Sequence, residues 1–374
     1  MSNFIKIGEG FIKRTIGKIY GKMAYPLFAF SLFSLNQAFS YYAYVANQSS
    51  TSPGTVSVIN TSTNQVVSTV AVDSNPYDVA ITLDGAYTYV TCPSYPSVWV
   101  INNADNSSSS LTSVSITVPI GIAIASTPNG INTFIVNQGG GGPGTLDIFD
   151  SPISNLINSV TVGIGPVDVA ISPDGYYAYV TNQSAVPGTV SVIDTSTYNV
   201  IATVTVGTGP AAVAFTPVGA YAYVTNQADT TVSVINTSTY NRIATVTVGL
   251  GPIGVAITIN GAYAYVANGN STTPGTVSVI NTATNTVITT VSVGSNPKDV
   301  AMTSDGAFCY VTNREGAQGI VSVINLFTNH VVATVNVGSD PLGIAIGTIG
   351  YTPPSPGPSG QNREFQRGGF SRSQ

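Results

Sequence analysis

The sequence has few charged residues and few residues of the types that carry out chemistry. Only 7% of its residues are charged, against about 25% in a typical soluble domain. It has one histidine, His330, and two cysteines, Cys92 and Cys309. A zinc site or a nucleophile–base pair is therefore disfavoured, because both depend on clustered histidines or cysteines or on a histidine base. Two cysteines cannot form a disulfide framework, so we expect two free, buried thiols.

Basic residues are scarce in the body of the chain. Residues 41–350 include three basic and fourteen acidic residues, whereas the first 22 residues alone include five basic ones. An acidic body repels the phosphate backbone, which argues against nucleic acid as a partner. Weak, nonspecific nucleic-acid binding through the arginine-bearing tail stays open as an alternative function.

The two ends of the chain differ in composition from the body. Residues 1–40 combine a basic stretch, an apolar run at 27–35, and small residues at Ala38 and Ser40. This order is typical of a signal peptide cleaved before Tyr41. The apolar run is shorter than the about 20 residues of a membrane span, but the basic stretch is long, so an uncleaved anchor remains the alternative. Residues 351–374 are rich in Pro, Gly, Ser and Arg, which predicts a disordered tail.

What fills the body is a repeat of about 45 residues. Its first marker has the form Y-x-Y-V-x-N or a close variant, and it occurs seven times, at 42–47, 87–92, 132–137, 177–182, 221–226, 263–268 and 308–313. Its second marker is a proline followed two residues later by an apolar run, at Pro76, Pro119, Pro166, Pro210, Pro252, Pro297 and Pro341. The copy at 132–137 departs most, since it lacks both tyrosines.

Each repeat predicts four short strands, which we call A (after the proline), B (the tyrosine marker), C and D. Turns of the Asp-Gly type between A and B favour hairpins. Four strands in about 45 residues match one blade of a propeller. We therefore predict an all-β, seven-bladed β-propeller with four-stranded antiparallel blades, occupying residues 41–350. An open solenoid of β-units is the competing architecture.

The order of the strands favours a closed ring. The chain enters the repeat at a B strand and leaves it at an A strand after Pro341. The last blade is then completed by strands B, C and D from the N-terminal end and strand A from the C-terminal end. Such pairing removes the exposed edges that a solenoid leaves at its ends.

These markers resemble the repeats of the YVTN family of β-propellers, found in archaeal surface-layer proteins and bacterial YncE-like exported proteins. The resemblance covers nearly all of the body. It implies the propeller fold, and the signal segment, the regular repeats and the lack of catalytic residue types then predict a non-catalytic binding or interaction module outside the cytoplasm (periplasmic, secreted or on the cell surface). A protein or a surface polymer is the expected partner, with no cofactor and no integral membrane span in the mature form.

Three aspartates are the candidate ligand-binding residues. Asp78, Asp168 and Asp299 each stand two residues after a marker proline, so a ring places them around one mouth of the channel. Carboxylate oxygens suit a cationic ligand, although each aspartate could instead bond the backbone of its own turn. No residue pattern indicates a catalytic or metal site. A lactonase-like hydrolase or lyase with its site at the channel mouth is the enzymatic alternative.

Overall fold

The computed structural model describes residues 41–49, 53–111, 116–153, 155–269, 274–315 and 318–348. The predicted signal peptide or anchor at 1–40 and the predicted tail at 351–374 lie outside these residues. Within them the chain forms 28 strands in seven four-stranded sheets. This confirms the predicted all-β, seven-bladed propeller. No helix in the described ranges is long and apolar enough to cross a membrane.

The strands occupy equivalent places in each blade. The A strands are β4 (Val79–Ile81), β8 (Pro119–Thr127), β12 (Pro166–Ile171), β16 (Pro210–Phe215), β20 (Pro252–Ile257), β24 (Pro297–Met302) and β28 (Pro341–Thr348). The B strands are β1 (Tyr41–Asn47), β5 (Tyr87–Cys92), β9 (Gly130–Asn137), β13 (Tyr177–Asn182), β17 (Tyr221–Asn226), β21 (Tyr263–Asn268) and β25 (Phe308–Asn313). The C strands are β2 (Gly54–Asn60), β6 (Ser97–Asn102), β10 (Pro143–Asp150), β14 (Thr189–Asp194), β18 (Thr231–Asn236), β22 (Gly275–Asn281) and β26 (Ile320–Asn325). The D strands are β3 (Gln65–Val72), β7 (Ser108–Leu111), β11 (Leu156–Ile164), β15 (Asn199–Thr205), β19 (Asn241–Thr247), β23 (Thr286–Val293) and β27 (His330–Asn336).

Six blades are formed by consecutive strands and the seventh by both ends of the body. Blades 1 to 6 run from β4–β7 to β24–β27, and blade 7 has the order β28-β1-β2-β3. In blade 7 the two ends pair antiparallel, with Val45 opposite Ile344 and Tyr42 opposite Gly347. The predicted closure of the last blade is therefore confirmed.

The hydrophobic core is divided among the interfaces between neighbouring blades. Seven buried clusters are present, one at each interface. Each B strand is buried on both faces, because its blade packs against one neighbour on either side. The second tyrosine of the marker is at most 1% exposed in the six blades that have it, at Tyr44, Tyr89, Tyr179, Tyr223, Tyr265 and Tyr310. Phe134 is the equivalent, equally buried residue of blade 2.

The hydroxyls of several of these tyrosines also connect adjacent blades. Tyr223 Oη donates to Asn285 Oδ1 of blade 5 at 2.7 Å. Tyr310 Oη of blade 6 donates to the carbonyl oxygen of Thr61 in blade 7 at 3.2 Å. A buried phenol hydroxyl usually finds such a partner, although that of Tyr179 has none among the described residues. In blades 4 and 6 the marker tyrosine thus supplies both apolar area and a bond to the next blade.

Candidate functional site

A cavity of about 350 Å³ lies at the mouth of the central channel where the A strands begin and the B strands end. Every blade except blade 2 contributes to its lining. Pro210 pairs with Asn226 at the ends of β16 and β17, and five other blades show the same Pro–Asn pair. Residues that follow the B strand therefore form the outer lip of the cavity, and residues two after the proline lie deeper. The polar lining consists of Tyr77, Asp78, Asp168, Lys298 and Asp299 with Gln48, Gln183, Gln227 and Arg314.

The structure brings the three predicted aspartates together at this mouth, where each connects two blades. Their Oδ1 atoms accept from the N–H of the next residue in their own strands, each at 2.8 Å. Their Oδ2 atoms accept from a backbone N–H in the following blade, at 3.0, 2.9 and 3.0 Å from Ile122, Val213 and Ile344. We call Asp78, Asp168 and Asp299 the bridging aspartates. The bond to their own strand matches the structural alternative considered above, and the bond across the interface was not predicted.

Burial shifts the titration of the bridging aspartates. The pKa of Asp168 is raised to about 6 and that of Asp299 to about 7, chiefly because both carboxyls lie deep in the ring. The pKa of Asp78 is raised well above its usual value by burial and then by the charges of the other two. The backbone N–H bonds act in the opposite direction and do not cancel the cost of burial. The cavity therefore holds carboxyls that gain protons near neutral pH.

A glycine of the preceding blade packs against each bridging aspartate. A Cβ on Gly254 would lie 2.7 Å from the Cα of Asp299 in the next blade, and one on Gly343 would lie 2.8 Å from the Cα of Asp78. Gly121 meets the backbone at Val167 and Asp168 in the same way. Each bridging aspartate is thus preceded around the ring by a glycine. At these three interfaces a side chain on the glycine would collide with the backbone at the aspartate.

The threonine of the Y-V-T-N marker joins the same inner layer. Thr225 Oγ1 accepts from the N–H of Ala212 in its own blade at 2.9 Å and donates to the carbonyl of Ile253 in the next at 2.6 Å. Thr312 makes the equivalent bonds to Asp299 and to Leu342. A bulge at the start of strand A interrupts its backbone hydrogen bonds to strand B. The threonine hydroxyl accepts the backbone N–H of strand A at that point. The marker residue is therefore structural.

Lys298, Arg314 and the glutamines of the lip were not singled out from the sequence. The signal was present, because the residue after the B-strand marker is glutamine in four of the seven repeats, at Gln48, Gln138, Gln183 and Gln227. Arg314 holds that position in blade 6, and its Nε donates to Asp340 Oδ1 at 3.1 Å. Lys298 precedes a bridging aspartate, and burial together with Arg314 lowers its pKa to about 8. These side chains give one sector of an otherwise acidic mouth a positive charge.

The described residues offer little for metal binding or catalysis. No group of three or more His, Cys, Asp or Glu side chains in that part of the chain could hold a metal ion. Both cysteines are buried and free, and His330 is exposed at the start of the outer strand β27, away from the cavity. The described lining of the cavity includes no serine, cysteine or histidine. Its chemistry is that of hydrogen bonding and charge.

Comparisons with known proteins support the fold. The family model described as "Choice-of-anchor I domain" matches residues 211–339, which form most of blades 4 to 6. No curated protein matches the sequence. The solved structure of Kuenenia stuttgartiensis hydrazine synthase is 21% identical, with a TM-score of 0.61 over 76% of this chain and 89% of that one. A functionally unknown protein from Desulfotomaculum acetoxidans is 19% identical, with a TM-score of 0.68 over 82% of this chain and 98% of that one. At such identities the likeness extends to the propeller fold alone.

Proposed function

We propose that this chain is a non-catalytic β-propeller that works outside the cytoplasm and binds its partner at the channel mouth. We place it among the YVTN-repeat, YncE-like exported propellers, on the strength of the seven marker repeats. The observation that carries the proposal is the cavity itself, which six blades line and to which five of them contribute carboxyl, amide, phenol or cationic groups. A cavity with convergent polar groups is the usual form of a small-ligand site.

A location at the cell surface is supported by two separate features. Blades 4 to 6 match a choice-of-anchor domain model, a type of module that we associate with the cell surface. The order of a basic stretch, an apolar run and small residues at Ala38 and Ser40 predicts a signal peptide that ends directly before the first marker repeat. A surface polymer or a surface protein is therefore the partner we expect.

The enzymatic alternative is not favoured by the arrangement of the bridging aspartates. A general base needs a carboxylate oxygen free to reach substrate. Both oxygens of Asp168 already accept backbone N–H bonds, one within blade 3 and one from blade 4. Using this carboxylate as a base would weaken the contact between two blades.

We expect a bulky side chain at the lip to block partner binding. Gln227 is exposed at the lip of the cavity, so Gln227→Trp narrows the mouth without disturbing the core. Binding is measured by co-sedimentation of the purified protein with the cell-envelope fraction of its own host. We expect the wild type to sediment and Gln227→Trp to lose at least tenfold in affinity. Thr239→Trp, in the C–D turn of the same blade, is the matched control and should bind normally. Equal binding by all three proteins, or no sedimentation of the wild type, contradicts the proposal.

Export is tested by sequencing the N-terminus of the native protein after cell fractionation. Cleavage after Ser40 should give a mature protein that begins at Tyr41 and is found outside the cytoplasm. An N-terminus upstream of the apolar run at 27–35, in a membrane fraction, would instead indicate the anchor. Full-length protein in the cytoplasm would overturn the proposed location.

A further inference from the structure

We propose that Lys298 and Arg314 form a carboxylate-binding subsite at the channel mouth, and that its ligand is a small polyhydroxylated carboxylic acid of the uronic-acid class. The inference rests on the proposed binding function and specifies the ligand. In this arrangement the ligand's carboxylate contacts the two cations of blade 6, and its hydroxyls contact the glutamines of blades 3, 4 and 7.

The Lys298 ammonium is a partly buried cation without a bonded anion. It stands at the start of β24, one residue before Asp299, and it lines the cavity. Among the described residues, Arg314 and Asp340 form the ion pair of this region, and none accepts a hydrogen bond from Lys298. Removing a cation from water is costly, and the nearby charge of Asp340 only partly offsets burial and the repulsion by Arg314, so that the pKa of Lys298 stays lowered. A ligand carboxylate at this point would supply the missing charge.

Arg314 is held in place beside Lys298 and keeps donors to spare. Its Nε donates to Asp340 Oδ1 at 3.1 Å, which fixes the plane of the guanidinium group. No described residue accepts from its two terminal nitrogens, so these are free to donate to a carboxylate. Guanidinium groups match carboxylates in shape, and such charge-assisted bonds are stronger than neutral ones.

The rest of the lip suits hydroxyl groups. Gln48, Gln183 and Gln227 present amides, each with both a donor and an acceptor. Gln183 Nε2 lies 3.4 Å from Gln227 Oε1, so the amides of blades 3 and 4 form a continuous polar edge. The cavity volume of about 350 Å³ lies at the lower end of the range for small-ligand sites, which begins at about 300 Å³. That size fits a monosaccharide acid or the end of an acidic polysaccharide.

The carboxyl groups deeper in the cavity should make the binding of an anion depend on pH. The titratable and charged groups around the subsite are Tyr77, Asp78, Asp168, Asp299, Arg314 and Asp340, with Glu315, whose Oε1 accepts from the Ser295 N–H. As the pH falls from about 8 to about 6, Lys298 becomes fully charged, and the bridging aspartates with raised pKa values lose negative charge. Both changes make the cavity less negative and so favour the binding of an anionic ligand. Affinity should therefore increase over this range, until the ligand's own carboxylate begins to protonate.

The test is calorimetric titration of the full chain with three hexoses that differ in charge: D-glucuronate, D-glucose and D-glucosamine. We expect glucuronate to bind at least tenfold more tightly than glucose at pH 6, and to lose at least tenfold in affinity between pH 6 and pH 9. Lys298→Met should remove most of the preference for glucuronate. Arg242→Met is the matched control, because it removes one positive charge from the exposed outer strand β19, and it should bind glucuronate as the wild type does.

Several results would overturn the inference while leaving the proposed function standing. Tighter binding of glucosamine than of glucuronate would mean that the aspartates, and not Lys298 and Arg314, recognise the ligand. Equal affinity of Lys298→Met and the wild type for glucuronate would exclude the subsite. Failure of all three sugars to bind, in a protein that still sediments with cell envelopes, would exclude this ligand class.

Discussion

Deletion of β28, residues 341–348, is expected to prevent the ring from forming a stable fold. Strand A of blade 7 comes from this segment alone, and it pairs with β1 from Tyr41 to Asn47. Without it the B strand of blade 7 faces the channel with an unpaired edge. The propeller would also lose the closure that prevents edge-to-edge association.

The energetic cost extends to both neighbouring blades. Ile344 is 6% exposed and packs in the cluster between blades 6 and 7, where burial of such a side chain contributes about 1.5–3 kcal/mol. The N–H of Ile344 donates to Asp299, and the carbonyl of Leu342 accepts from Thr312. Deletion leaves these blade 6 groups unpaired at about 1–3 kcal/mol each. The total is comparable with the about 5–15 kcal/mol that stabilises a typical domain.

The measurement is thermal unfolding followed by circular dichroism, with size-exclusion chromatography to detect aggregation. Removal of residues 349–374 alone is the control and should leave the melting temperature unchanged. A circular permutant offers a stricter test, because Tyr41 and Thr348 are paired in the register of blade 7. Placing residues 341–348 before Tyr41, joined by a turn copied from residues 172–176, should restore the fold. A β28 deletion that melts like the full-length protein would contradict the closed ring.

The fold could be predicted from the sequence because its repeat is a local pattern. Marker prolines, Asp-Gly turns and Y-V-T-N strands recur at nearly constant spacing, so the blades could be counted without knowing any long-range contact. The missing A strand at the beginning and the extra one at Pro341 predicted the closure seen between β28 and β1. Even the degraded copy at 132–137 forms a complete B strand, because Phe134 and Ile135 fill the same buried positions.

The site was only partly predictable, because its bonds join residues from different blades. The position of Asp299 in the repeat places it at the channel mouth, but its bond to Ile344 depends on the offset between neighbouring A strands. The raised pKa values follow from that enclosed geometry. Lys298 and Arg314 were not predicted for another reason: each is the single cation at its repeat position, and only residues that recur at one position of a repeat form a pattern.

The bridging aspartates are expected to make the propeller most stable in mildly acidic solution. A carboxyl whose pKa is raised on folding binds more protons in the folded state than in the unfolded state, so the free energy of unfolding falls as the pH rises. For Asp168 and Asp299 the window runs from the ordinary value of 3.8 up to about 6 and about 7. One pKa unit corresponds to about 1.4 kcal/mol, so we expect the total change to reach a few kcal/mol. Below about pH 4 the trend reverses, because Asp84 and Asp194 have pKa values lowered by hydrogen bonds from Thr82 and Ser196.

The measurement is urea unfolding at a series of pH values from about 4 to 8, for the wild type and for Asp299→Asn. The amide cannot titrate, so the variant should show a flatter dependence on pH, although it also loses one acceptor and is less stable near pH 4. Asp305→Asn is the matched control, because its carboxylate accepts bonds from Thr303 and Ala307 within the A–B turn of the same blade, and it should change the slope less than Asp299→Asn does. An unfolding free energy that rises between pH 4 and pH 7 would mean that these carboxyls are ionised in the fold. The backbone N–H groups of two blades would then stabilise the charged form more than burial opposes it.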